Sequence, residues 1–260
     1  MESKLIPVYE IPWTNIEKDK CYWYHTTSFP DGDHIEGSWT IADFNEYIGG
    51  YDLSGKTVLD VGTASGFLAF NAEKAGAIVT ALDAATTKEF RHVPFAVSES
   101  YKNIKQSQDH WNQNNLIPIK NSWWYSWSKF SSNARCIYAP LTDLYEWDLS
   151  FDVVMAGAII EHLSDPVYSI GAWTKIAKEA VLIPFTDMAE GSDLYMKPMT
   201  DWTNHNFNYA WWQLSEGLYR RIFDNLGFDM EVKFAQARHN DGANGPTMAR
   251  RPTIIARKRK

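Results

Sequence analysis

Between residues 56 and 83 the hydrophobic period of the chain changes twice. Lys56 to Val61 is a short β-branched apolar run; Gly66 to about Ala75 then spaces its apolar residues as a helix does and stops at Gly76, suited to the left-handed position after a helix. Ala77 to Leu82 is a second apolar run, closed by Asp83. Strand, helix and strand at these lengths predict a βαβ unit. Further on, Cys136 to Ala139 reads as a short strand, and Phe151 to Ile160, apolar almost throughout, as a strand buried on both faces of a parallel sheet. Asp165 and Pro166 cap and open a helix with Val167, Ile170, Trp173 and Ile176 on one stripe. Ala180 to Pro184 is the next strand. A helix from about Ser215 turns Leu218, Ile222, Phe223 and Leu226 inward and ends at Gly227, and strands follow at Phe228 to Lys233 and Thr253 to Ala256.

This alternation predicts an α/β fold, a Rossmann-like open sheet with helices on both faces and ligands at the carboxyl ends of its strands. Two regions stand outside the rhythm. Residues 1–50 precede the first sheet strand and read as an amino-terminal cap on a domain spanning 51–260; within that domain, about 86–133 is an insertion after the second strand, a polar helical stretch followed by a tryptophan cluster. At 260 residues the chain suffices for a full core without staples. Only Cys21 and Cys136 are present, in no metal-ligand spacing, so a disulfide framework and a structural zinc site lack support and a reducing cytoplasm is expected. A net charge of −7 gives no overall attraction for phosphate backbones, which disfavours a nucleic-acid partner without removing the chance of a local basic patch. The longest apolar run, residues 153–160, is too short to cross a bilayer, so no membrane partner is expected.

The turn in KTVLDVGTASGF invites a nucleotide-bearing cofactor. A dinucleotide would want glycine at the position of Phe67 and no carboxylate at Asp60, and a phosphate loop would want Gly-Lys-Ser/Thr, which is missing. S-adenosylmethionine, with a cationic end and no phosphate, tolerates Asp60. Asp83, 23 residues beyond Asp60, then suits the ribose hydroxyls, with Asp60, Gly62 and Gly66 along the amino-acid half.

DVGTASG with the following ALD resembles motif I and the second-strand acid of class I S-adenosylmethionine-dependent methyltransferases, and FDVVMAGAIIEHLSDP resembles their fourth strand and its exit. WYHTTSFPDG, IKNSWWYSWSKF, EHLSDP and AWWQLSEGLYRRIFDNLGF together resemble a bacterial group related to the tRNA wobble-uridine (5-methoxyuridine-type) methyltransferases. The resemblance implies methyl transfer, with Thr63, Ala64, Ser65, Ala84, Leu141, Thr142 and Ala158 joining the cofactor set. Quinone-type methyltransferases with a similar EHV or EHL segment carry another Glu three residues earlier for a metal; Ala158 stands there, so no metal is expected.

A hydroxyl acceptor needs a base. His162, just past the fourth strand, is the candidate, with Glu161 orienting it or touching substrate; packing under the helix is the alternative for both. His25, with Tyr22, Trp23 and Tyr24, is placed to close the site, or to dock a helix by its aromatics. His205 and Asp201 follow the fifth strand, where they contact substrate or stabilise a loop. His92, His110 and His239 read as surface residues. The chain holds 12 tryptophans, and adjacent pairs such as Trp123/Trp124 and Trp211/Trp212 point to different sides, so one ring of each pair is expected at a cleft. Trp124, Trp127, Trp202 and Trp212 are candidates for a wall that stacks on the acceptor, with core packing the alternative. The basic end, Arg257 to Lys260, reads as solvated. The expected activity is methylation of a small molecule, at oxygen. The alternatives are a tRNA wobble-uridine-type enzyme and a silent cofactor-binding protein.

Overall fold

The β-branched run after Lys56 becomes the middle of a sheet because its neighbours on both sides are equally apolar. The computed structural model describes residues 6–90, 102, 108–199, 210–241 and 245–260. The main sheet has eight strands: β1 (Trp39–Thr40), β2 (Thr57–Val61), β3 (Ile78–Asp83), β4 (Arg135–Tyr138), β5 (Phe151–Met155), β6 (Ala177–Ile183), β7 (Phe228–His239) and β8 (Thr247–Lys258). Their order in space is β1-β7-β8-β6-β5-β2-β3-β4. From β4 to β6 the pairs are parallel, whereas β8, β7 and β1 are added antiparallel beyond β6. The chain walks outward from β2 through β3 to β4, then returns to place β5 on the other side of β2. Their loops diverge at that switch point, and the crevice between them is where a ligand enters such a sheet.

Alternation along β2 fills two cores: Leu59 and Val61 join one, Val58 the other. On the first face lie α3 (Pro166–Ile176), through Ile170, Trp173 and Ile176, and α4 (Glu216–Asn225), through Tyr219, Ile222 and Phe223. On the second lie α1 (Phe67–Lys74) and α2 (Ile117–Phe130).

Several expected boundaries move. The run expected as a strand to Ile160 leaves the sheet at Met155, because Ala158 takes a positive φ of 44° and residues 160–162 coil into a single helical turn. The two last strands are far longer than expected, pairing as a twelve-residue hairpin from Phe228↔Lys258 to His239↔Thr247. Val167 and Leu226 are exposed, the first on the outer side of α3 and the second at the end of α4. His239 is not a free surface residue: its ring lies 4.6 Å from that of Trp39. His110 is exposed; His92 lies outside the described residues.

The adjacent tryptophans of α2 correct a sequence expectation. Trp123 and Trp124 are both fully buried. They leave the helix in different directions, yet α2 is enclosed on two sides: Trp123 meets Phe70 of α1 at 5.2 Å, and Trp124 stacks at 5.9 Å on Trp13 of the amino-terminal segment. At roughly 150–250 Å² each, burial of these rings is worth on the order of 5 kcal/mol apiece before entropy. Residues 9–16 thus act as a second roof over the helix, with Glu10 N–H donating to the Cys136 carbonyl at 2.8 Å beside the edge strand.

Candidate active site

At the carboxyl end of β2 the chain turns through Gly62 and Ala64, both with positive φ, 73° and 47°. A side chain at Gly62 would meet Ile159 at 3.0 Å, so the close approach of this loop to the exit of β5 requires glycine. Asp83, ending β3, fixes the loop from beside it: one carboxylate oxygen accepts from Ala64 N–H and the other from Ala84 N–H, each at 2.8 Å. Each oxygen keeps lone-pair capacity toward the cavity it lines.

That cavity, about 470 Å³, has two chemically different halves. The first is bounded by Gly62, Thr63, Ala64, Asp83, Ala84 and Leu141, with Glu89, Phe90 and Trp111 from the region after β3. The second is an aromatic chamber made by Tyr24, His25, Trp39, Tyr47 and Phe185, with Glu161, His162, Asp187 and Arg251 on its walls. Ala158 and Ile159 lie on the lining as well. Ala64, Ala158 and Phe185, each close to the exit of one of three neighbouring parallel strands, all have left-handed backbone, φ 47°, 44° and 58°. Such conformations cost roughly 1–2 kcal/mol in non-glycine residues, and three of them cluster at this end of the sheet.

The titratable groups sort by environment. Asp60, expected along the cofactor, is buried beneath the loop and off the cavity lining; burial pushes its pKa up to about 7 against the opposing pull of the Thr63 hydroxyl and the Ala69 N–H. Glu161 is also buried, its Oε2 has no partner, and burial raises it above the usual carboxylate range despite the opposing pull of His162 and Arg251. Its backbone is held by Trp211 N–H, which donates to the Glu161 carbonyl at 2.7 Å. His25 packs at 4.9 Å on Phe67, its Nδ1 is buried without a partner, and burial lowers it to about 4. At neutral pH it is therefore an uncharged imidazole.

The cavity brings together Gly62, Thr63, Ala64, Asp83, Ala84, Leu141, Ala158, Tyr24, His25, Glu161 and His162. Other candidates sit elsewhere. Ser65 is buried and accepts from Tyr24 N–H at 3.3 Å, and Gly66 lies against Phe70 and Trp123; both shape the loop from behind. Thr142 faces a shallow outer groove with Asp143, Tyr145 and Tyr168. The expected tryptophan wall is not built from the predicted rings. Trp23 is buried and donates to Ser126 Oγ at 3.2 Å, Trp124 is in the core, and Trp127 and Trp212 donate to the carbonyls of Ala134 and Ser164, each at 3.0 Å. Their rings are taken up by α2 and the edge of the fold. Trp202, His205 and Asp201 lie outside the described residues.

Sequence reasoning missed Trp39, Tyr47, Phe185, Asp187 and Arg251. Phe185 and Asp187 had a usable signal, since they follow a predicted strand at the ligand-bearing end of the sheet; the other three had none. Of the basic end, Arg257 pairs with Glu231 and Arg259 with Asp224 and Asp229, so those charges are met by the chain's own carboxylates. Among the described residues no group of three His, Cys, Asp or Glu is arranged to hold a metal, and no helix is long and apolar enough to cross a membrane.

No protein-family model matches the chain, and no curated protein matches it. Solved structures do. The N-terminal domain of EvdMO1, determined in the presence of SAH and D-fucose, aligns over 93% of this chain and 94% of its own with a TM-score of 0.51 at 13% identity. TehB from Haemophilus influenzae aligns over 80% of this chain, which spans 59% of TehB, with a TM-score of 0.50 at 15% identity. Magnesium protoporphyrin IX methyltransferase from Synechocystis PCC 6803 with bound SAM gives 0.47 at 12% identity over 83% and 76%. The chain has the Rossmann-like fold of the class I methyltransferases.

Proposed function

We propose that this protein transfers a methyl group from S-adenosylmethionine to the hydroxyl of a small-molecule acceptor. The observation that carries the reading is the joining of two halves in one cavity: a glycine loop latched to Asp83, and an aromatic chamber containing a buried carboxyl without a hydrogen-bond partner. The residues fit the cofactor. Asp83 retains acceptor capacity for two ribose hydroxyls on the cavity lining, and Asp60, buried off that lining, adds its field behind Gly62 and Thr63. Held there, S-adenosylmethionine would supply a sulfonium methyl to the acceptor oxygen, sulfur keeping the electron pair of the broken carbon–sulfur bond and the hydroxyl proton passing to Glu161.

The rest of the chemistry belongs to the chain. Glu161 is the base, since burial raises its carboxyl above the ordinary carboxylate range, which strengthens it as a proton acceptor, and its Oε2 faces no competing donor. His25, lowered to about 4, is too weak a base for that step and instead holds the acceptor as a neutral imidazole. Trp39 and Phe185 form the inner wall that displaces water, with the exposed Tyr24 at its edge, so that acceptor and methyl are held in line. The size of the cavity, about 470 Å³, and the internally paired Arg257 and Arg259 favour a small acceptor over RNA. The test is incubation with methyl-labelled S-adenosylmethionine and two fractions of host extract, small metabolites and total RNA. Label in a small metabolite is expected. Label in RNA overturns the choice of acceptor, and absence of label from both overturns the activity.

A further inference from the structure

Arg251 lies on β8 opposite Ala235 of β7 and forms part of the aromatic chamber. Its guanidinium carbon sits 5.3 Å from the ring of Phe185 and 5.8 Å from that of Trp39. Those rings meet edge to face at 5.6 Å, and Phe185 stacks at 5.3 Å on Tyr47, so the guanidinium rests in an aromatic corner. Among the described residues it makes no ion pair and no hydrogen bond, which leaves its five N–H donors unused. Arginines that serve only to balance buried carboxylates ordinarily do so by direct, often bidentate contact. Here Glu161 and Asp187 share the chamber without reaching it, and Asp187 is engaged by Gln213 Nε2 at 2.6 Å. Arg251 is half-buried, and its contact with the two rings holds the planar fork in place beside apolar surface, where an incoming anion meets less competition from water.

We propose that Arg251 receives a carboxylate of the acceptor, so that the substrate is a small hydroxy acid: one carboxylate on Arg251, one hydroxyl toward Glu161, and an apolar body between Trp39, Tyr47 and Phe185. The hydroxyl rests on the methyl-transfer reading; the carboxylate rests on the chamber alone. A single negative charge fits better than a phosphate dianion. Arg251 is the one arginine or lysine among the described residues of the lining, which also carries Asp83, Glu89, Glu161 and Asp187.

The test has two arms. In the first, small metabolites are separated on an anion exchanger at about pH 7, where carboxylates are ionised, and each fraction is offered to the protein with methyl-labelled S-adenosylmethionine. Label is expected from the retained fraction, falling at least about tenfold in Arg251→Met and less in Arg251→Lys, with SAH affinity and melting temperature kept. In the second, 4-hydroxybenzoate and 4-hydroxybenzyl alcohol are titrated into SAH-saturated protein by calorimetry. The acid is expected to bind at least about tenfold tighter, a preference lost in Arg251→Met. Label from the unretained fraction, or equal labelling by Arg251→Met, overturns the inference while methyl transfer stands. No label from any fraction, with the acid still preferred through Arg251, overturns methyl transfer while the anion site stands. Acid and alcohol binding alike, or neither binding, overturns the anion site.

Discussion

The two halves of the cavity are built by opposite means. The floor of the half around Gly62 and Asp83 is made of backbone from one local stretch: two consecutive strands, the turn between strand and helix, and one carboxylate that latches the turn through Ala64 N–H and is itself held by Ala84 N–H. The aromatic half is made of side chains from segments remote in sequence, Tyr24, Trp39, Tyr47, Glu161, Phe185 and Arg251, each carried to the same place by a different element. A backbone site can bind one invariant ligand and changes little when a side chain changes. A side-chain site can be retuned one residue at a time, which suits an acceptor pocket on a fold whose cofactor half stays fixed.

If the halves divide their labour in this way, substitutions should separate along the same line. The largest effect is expected from Glu161→Gln: labelled-methyl transfer should fall about 10²–10⁴-fold while calorimetric SAH affinity is unchanged. Because Glu161 acts as base only when ionised, the wild-type rate should also fall as pH drops through its raised pKa. Trp124→Ala should cost about 3–5 kcal/mol of stability in denaturant unfolding and leave ligand affinity untouched in the folded fraction, whereas Trp39→Ala should weaken acceptor binding. An acceptor-binding defect in Trp124→Ala would join the core tryptophans to the site after all. Asp83→Ala should weaken SAH binding by about 1–3 kcal/mol without altering which acceptor is chosen.

The pH dependence offers a finer test, since each tenfold change in a group's proton affinity on folding is worth about 1.4 kcal/mol. Asp60 is raised to about 7, so its contribution to stability is full below the ordinary Asp pKa and is lost as pH rises through 7. His25 is lowered to about 4, so its contribution is present above the ordinary His pKa and lost as pH falls through 4. The two oppose each other across the window between. Relative to wild type, Asp60→Asn should make the slope of stability against pH more positive between about pH 4 and 6.5, and His25→Asn should make it more negative, measured by urea unfolding. Last, Ala158→Gly should relieve the left-handed backbone and raise stability by up to about 1 kcal/mol.

The chain's own letters determined the half of the cavity around Gly62 and Asp83. Lys56 to Asp83 carries its strands, helix and turn within one local stretch, and local backbone preference is what hydrophobic period and glycine placement report. They also determined that Glu161 and His162 would lie at the exit of a buried strand, although not that the strand would stop at Met155. Only the tertiary structure decided which aromatics line the cavity. Trp123 and Trp124 looked like a cleft because one helix face cannot bury both; the amino-terminal segment supplied the second roof that did. Trp39 and Arg251 became site residues because β1 and the long β7–β8 hairpin extend the sheet past β6 and carry them beside Phe185. No spacing in the sequence encodes that meeting. It follows from long-range pairing and packing, in which a residue's neighbours are set by the fold and not by the residues next to it in the chain.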